Sequence, residues 1–180
     1  MKNTILIISF LVSLQLHAQK YFTRTGITEF EASEKAFEPI KATNKSTTAI
    51  IDIKKGVVVA QVFMTGFQFK NALMQEHFNE NYMDTHHYPK AIFKGKLKDF
   101  SLSKLEGTSS FNLDGTLTIK GKEKEIKTVV TIQKLKKNLN LSGSFFVNPD
   151  DFDIKIPSIV RDKIAKQIQI SIDYELIEKK

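Results

Sequence analysis

FQFKNALMQEHFNENYMDTHHYPKAIFKG, Phe67 to Gly95, is the stretch that decides how this chain is read. Phe67-Gln68-Phe69 is an apolar strand end. Asn71 follows, and its side chain can cap the open amides of a helix. Leu73, Met74, Phe78 and Tyr82 then recur on one side at helical spacing, with Gln75, Glu76, Asn79 and Glu80 elsewhere. Tyr88-Pro89 stops anything helical, because the residue before a proline is pushed toward extended backbone. Ala91 opens a new strand. The stretch predicts a strand end, a short amphipathic helix over 71–82, a turn and a strand.

Outward from it, the pattern is mostly period two with turn signals between runs. Strands are expected over 21–30, 47–53, 57–69, 91–101, 108–120, 125–135, 139–147 and 166–177. A short helix fits within 31–42. A second fits from Pro157, which suits a first helical turn, to Ala165. Lys54-Lys55-Gly56, Gly121-Lys122 and Lys136-Lys137-Asn138 read as turns, and Asn148-Pro149-Asp150-Asp151 as a break. Phe111, Leu113, Gly115, Leu117 and Ile119 alternate with polar residues. So do Ile168, Ile170, Ile172, Tyr174 and Leu176, and Ile126, Val130 and Ile132 share one register. One wet and one dry face imply antiparallel strands. The fold class expected is all-β with short helices: an antiparallel, about eight-stranded up-and-down barrel with an apolar interior, which leaves no exposed edge. A two-sheet sandwich is the alternative.

Two features refine that reading. Gly95, Gly115 and Gly143 lie on the dry register, where glycine marks a bend or a close approach; they imply either curvature alone or internal room. The long run Val57–Phe69 is apolar in both registers. Val57, Val59, Phe63, Phe67 and Phe69 fall on one side, and Val58, Ala60, Val62 and Met64 on the other. Such a strand needs cover on both faces, and the neighbouring helix can lie outside it or cap one barrel end.

Met1-Lys2-Asn3, the apolar run Ile5–Leu16 and the small residue Ala18 form a secretory signal peptide, with Gln19 the first mature residue. The run is shorter than the ~20 apolar residues of a spanning helix. Cleavage of residues 1–18 leaves 162 of 180 residues, one domain over 19–180, periplasmic or secreted, with no membrane-spanning segment. The chain has no cysteine, which excludes disulfides and thiolate metal sites. An ordinary core can hold a domain of this size.

The formal charge of +7 falls to +6 without Lys2. The lysines group as Lys94, Lys96 and Lys98; Lys120, Lys122, Lys124 and Lys127; and Lys134, Lys136 and Lys137. They suit a solvated outer face with charged edges, or attraction to anionic headgroups. Nucleic acid is not an expected partner, because no recognition motif is present.

Enzyme signatures are missing. His77, His86 and His87, near Glu76, Glu80 and Asp84, lack HExxH spacing. No G-x-S-x-G elbow and no phosphate-binding glycine loop occur. Neither a metal nor another cofactor is expected. Asn44-Lys45-Ser46 and Asn140-Leu141-Ser142 are formal glycosylation sequons.

Leu73–Met83, with Tyr88-Pro89-Lys90-Ala91 and Phe93-Lys94-Gly95, resembles the YceI-like family of exported bacterial lipocalin-like barrels. Gly115–Gly121, Leu141–Phe145, Asp151-Phe152 and the strand Ile168–Leu176 add to the resemblance, which covers nearly the whole mature chain. It implies a periplasmic carrier that sequesters a polyisoprenoid or similar long-chain lipid without turnover, its polar head meeting lysines at the mouth. In register, the pore-facing candidates are Phe63, Phe67, Phe93, Leu97, Phe111, Leu113, Leu117, Ile132, Phe145, Ile170 and Ile172. An envelope stress or structural protein acting through a protein partner is the alternative, and a metal-dependent hydrolase a more distant one. A homodimer is compatible with all of these.

Overall fold

Hairpin follows hairpin from one end of the chain to the other. The computed structural model describes residues 20–33, 39–105 and 107–179. Its strands are β1 (Lys20–Ser33), β2 (Lys41–Asp52), β3 (Val57–Phe63), β4 (Gln68–Phe69), β5 (Lys90–Leu97), β6 (Thr108–Ile119), β7 (Lys122–Leu135), β8 (Asn138–Val147) and β9 (Ile164–Glu178), with one α-helix, α1 (Ala72–His77). Pairing is antiparallel throughout. The order β1-β9-β8-β7-β6-β5-β3-β2 closes through a β1–β2 pairing, so eight strands form a barrel. The ninth, β4, is two residues long and pairs with the start of β2. The expected up-and-down barrel is therefore the fold, and the sandwich is not.

Several boundaries differ from the sequence reading. Strand β2 starts at Lys41 rather than Thr47, because its polar first half pairs with β1 from Asn44 to Lys41. Of the helix expected within 31–42, the two ends are strand and residues 34–38 lie outside the described set. After Pro157 there is only a single 3₁₀ turn, Ser158–Val160, before β9 begins. The expected signal peptide, residues 1–18, also lies outside the described residues.

The largest difference is in the run Val57–Phe69. It breaks after Phe63 into a 3₁₀ turn, Met64–Gly66, before β4 resumes. The cause sits on the neighbouring strand. Asn44 is fully buried; its Nδ2 donates to the Phe63 carbonyl at 2.9 Å, and its Oδ1 accepts from the Ser46 N–H at 2.8 Å. One side chain thus pins the end of β3 and bulges β2. It also occupies the first sequon, with its amide committed inside the fold.

The barrel has a packed end and an open end. At the packed end, Ile51, Val58, Leu97, Phe111, Ile132 and Leu141 belong to one buried cluster. Between the ends, Gly95 and Gly115 face each other across β5 and β6. A Cβ on either would come within 2.6 Å of the Phe93 ring, so this glycine pair gives the ring its seat. At the open end, α1 closes over the strands. Asn71 Oδ1 accepts from the Leu73 N–H at 2.9 Å, the cap expected from the sequence. The chain continues as a π-turn through Phe78–Tyr82. Phe78 drives into a group of rings, with its centroid 5.4 Å from Phe30, 5.7 Å from Phe67 and 5.1 Å from Phe69. Of the two placements open to the helix, it takes the barrel end.

The wall is incomplete at one seam. Strand β7 pairs with β8 only from Val130 to Leu135. Its first half, Lys122–Val129, pairs among the described residues with β6 alone. Across the gap Thr128 Oγ1 donates to the Ser144 carbonyl at 2.8 Å. Behind it the buried Phe152 packs with Leu117, Ile126 and Val147. Two ion pairs of 2.8 Å, Lys122–Asp153 and Lys124–Asp151, tie the turn that carries Phe152 to the edge of β7.

Candidate ligand-binding cavity

Inward side chains of the strands leave a cavity of about 500 Å³ between the packed end and α1. That lies within the ~300–1,000 Å³ range of small-molecule sites. The lining is almost entirely apolar. Phe30, Phe67, Phe69 and Phe78 wall the side under the helix, and Ile168, Ile170 and Ile172 of β9 line the other. Leu73 and Met74 of α1, with Ile156 and Val160 of the loop before β9, frame the mouth. Ile159, next to them, is almost wholly exposed.

Seven of the pore-facing candidates line this cavity: Phe67, Phe93, Leu113, Leu117, Phe145, Ile170 and Ile172. Four do not, for two reasons. Phe63 points outward and is 45% exposed, with the Lys90 ammonium 4.9 Å from its ring centroid. The 3₁₀ turn shifts parity, so Val58, Ala60 and Val62 face inward before it and Phe67 and Phe69 after it. Leu97, Phe111 and Ile132 do point inward, but they lie in the packed end below the cavity. Strand alternation gives the direction of a side chain and not its height along the barrel axis.

Sequence reasoning missed the polar floor. Val58, Leu113, Val130 and Tyr174 belong to both the packed cluster and the cavity wall, and so mark where one meets the other. There Thr28 Oγ1 lies 2.8 Å from Thr47 Oγ1 and 3.0 Å from the Tyr174 hydroxyl oxygen. All three residues are buried and all three line the cavity. Burial pushes the Tyr174 hydroxyl up to about 12, against the opposing effect of its hydrogen bond with Thr28. Gly26 makes this possible, since a Cβ there would stand 2.6 Å from the Tyr174 ring. In the sequence the two threonines read as ordinary strand residues.

Among the described residues, Lys163 and His77 at the mouth are the lining side chains that can carry a positive charge, and none of the lining is acidic. The histidine group considered for metal does not converge. His87 Nδ1 pairs with Asp84 Oδ1 at 2.8 Å in an exposed turn, which holds the Asp84 carboxyl below its ordinary range. No group of three potential metal-ligating side chains occurs among the described residues. Nor is any described helix long and apolar enough to cross a membrane.

A family model described as the YceI-like domain matches residues 16–176. Among solved structures, a polyisoprenoid binding domain from Saccharophagus degradans, implicated in plant cell wall breakdown, superposes with a TM-score of 0.76 at 12% identity, over 89% of this chain and 98% of that one. BcnA from Burkholderia cenocepacia gives 0.68 at 18% identity, over 85% and 96%. A YCEI protein from Campylobacter jejuni gives 0.61 at 17% identity, over 80% and 87%. At these identities the structural likeness is one of fold. No curated protein sequence matches the chain.

Proposed function

The chain belongs to the YceI-like domain family, and on that premise we propose that it is an exported binding protein that sequesters a long-chain amphiphile, polyisoprenoid or similar, without turning it over. The observation that carries the reading is the apolar cavity of about 500 Å³ with its mouth under α1. A hydrocarbon chain gains ~0.8 kcal/mol for each methylene buried there, before the cost of ordering it. The fold shared with a polyisoprenoid binding domain supports the choice of ligand class. Among the described residues the lining offers no acid–base pair and no metal-ligand set at its centre, which fits sequestration. Periplasmic placement is part of the proposal. Every described residue of the barrel, from Lys20 onward, lies after the expected cut at Ala18.

Native mass spectrometry of protein purified from its own cell envelope tests this. The expected spectrum shows a chain starting at Gln19 with a lipid-sized adduct that is lost on unfolding. Repeated absence of any adduct, together with failure of the stripped protein to take up long-chain lipids, would refute binding. A chain that keeps Met1 in the envelope fraction would refute cleavage.

A further inference from the structure

The hydroxyl chain at the cavity floor is more than a core contact. Three hydroxyls carry three protons, and their two mutual hydrogen bonds use two of them. No other partner for these oxygens is found among the described residues. One donor is therefore left over, buried beside an apolar space, where an unmade hydrogen bond is costly. A hydrocarbon end reaching the floor leaves that donor unmet; an oxygen acceptor there satisfies it. The acceptor must be neutral. Among the described residues the cationic side chains of the lining, Lys163 and His77, sit at the mouth, so a carboxylate or phosphate at the floor would be buried without a counter-charge.

We propose that Thr28, Thr47 and Tyr174 form a subsite for a neutral oxygen group, a hydroxyl or carbonyl, at the leading end of the bound amphiphile. The ligand then lies polar end inward with its hydrocarbon toward the mouth, the reverse of the orientation expected from the sequence. This rests on the lipid-binding reading above. It adds an orientation and a headgroup class to it.

The test uses stripped full-length mature protein loaded with the neutral fluorophore N-phenyl-1-naphthylamine. The competitors are tetradecan-1-ol, pentadecane and tetradecanoate; the first two match in heavy-atom count. In the wild type, tetradecanol should displace the probe at about one-tenth the concentration pentadecane needs, one good hydrogen bond's worth of selectivity. The triple variant Thr28→Val/Thr47→Val/Tyr174→Phe, each change close to isosteric, removes every floor donor and should reduce that preference to less than about threefold. Tyr174→Phe alone leaves two hydroxyls with one mutual bond, so one donor remains and the preference should persist. Tetradecanoate, with its head at the mouth, should be insensitive to the triple change. Equal displacement by alcohol and alkane in the wild type overturns the subsite. So does a tenfold preference that survives the triple substitution, or a tetradecanoate affinity that falls in step with the alcohol's. If the triple variant loses its cooperative melt, the comparison of alcohol with alkane in the wild type decides. If no competitor displaces the probe and none binds directly by native mass spectrometry, the lipid reading itself fails; if alcohol and alkane bind equally, only the subsite does.

Discussion

Alanine at Gly115 asks a Cβ to occupy space that backbone already fills. It would stand 2.5 Å from the Gly95 Cα, 2.5 Å from the Lys94 carbonyl oxygen and 2.6 Å from the Phe93 Cζ. Alanine at Gly95 meets mostly side chain: two Phe93 ring atoms at 2.6 and 2.7 Å, then the Asp114 carbonyl oxygen at 2.9 Å. Carbon contacts settle near ~3.5–4.0 Å, so about 1 Å must be recovered in each case. A ring can swing, whereas two hydrogen-bonded strands in a close-packed wall yield little. Overpacking costs ~1–3 kcal/mol and sometimes more. We place Gly95→Ala near ~2 kcal/mol and Gly115→Ala at ~3 kcal/mol or above. The discriminating variant is Phe93→Leu, which shortens the ring that both positions meet. In a double-mutant cycle it should recover ~1 kcal/mol or more of the Gly95→Ala cost and under ~0.5 kcal/mol of the Gly115→Ala cost. Urea unfolding with an unchanged slope measures each term. Equal recovery at the two sites would refute the division between a ring contact and a backbone contact. An additive cycle at Gly95 would refute the ring seat altogether.

Other expectations follow from the same geometry. Tyr174 is held neutral up to about 12, above the ~10 of an unfolded tyrosine, so its contribution is full below pH ~10 and is lost as pH rises toward 12. That loss is ~3 kcal/mol, and alkaline melting curves of Tyr174→Phe should lack it. Asn44→Ala leaves the Phe63 carbonyl and the Ser46 N–H without their buried partner. It should cost ~2–4 kcal/mol by chemical denaturation and raise hydrogen exchange in residues 63–69 above that of the remaining strands. Phe78→Ala removes the ring that seats the π-turn among Phe30, Phe67 and Phe69. A loss of ~3 kcal/mol and faster release of a preloaded fluorophore are expected in stopped flow. Asp151→Asn and Asp153→Asn break ion pairs whose side chains are roughly half exposed. Each should move Tm by no more than about 2 °C at moderate salt.

The hairpins from β5 to β9 could be read directly because each alternates cleanly and ends in a turn. Asn71 announced its helix, and the apolar side of that helix announced something to cover. What could not be read was set by residues distant in sequence. Val57–Phe69 is apolar in both registers, so its pattern carries no parity, and the break within it is imposed by Asn44 from the next strand. Phe63 was misplaced for that reason. Leu97, Phe111 and Ile132 have the inward direction read for them, yet alternation says nothing about which end of a barrel is packed. The floor hydroxyls come from β1, β2 and β9, and only closure of the ring brings Thr28, Thr47 and Tyr174 together.

The seam between β7 and β8 has a consequence for solubility. A closed barrel ordinarily offers a neighbouring molecule no strand edge to extend. Among the described residues this one has an edge from Lys122 to Val129 that pairs with β6 on one side only. Eight positions unpaired on one side are enough to template an added strand from another copy, the first step of edge-to-edge aggregation. The residues along it are Lys122, Glu123, Lys124, Glu125 and Lys127, with only Ile126 apolar before Thr128 and Val129. An incoming copy of the same edge would have to bring these long charged side chains together. The lysine cluster that reads in the sequence as general basicity thus stands where the sheet is open, as a guard against self-association. Neutralising Lys122, Lys124 and Lys127 together should lower the concentration at which the protein precipitates while leaving its fold intact.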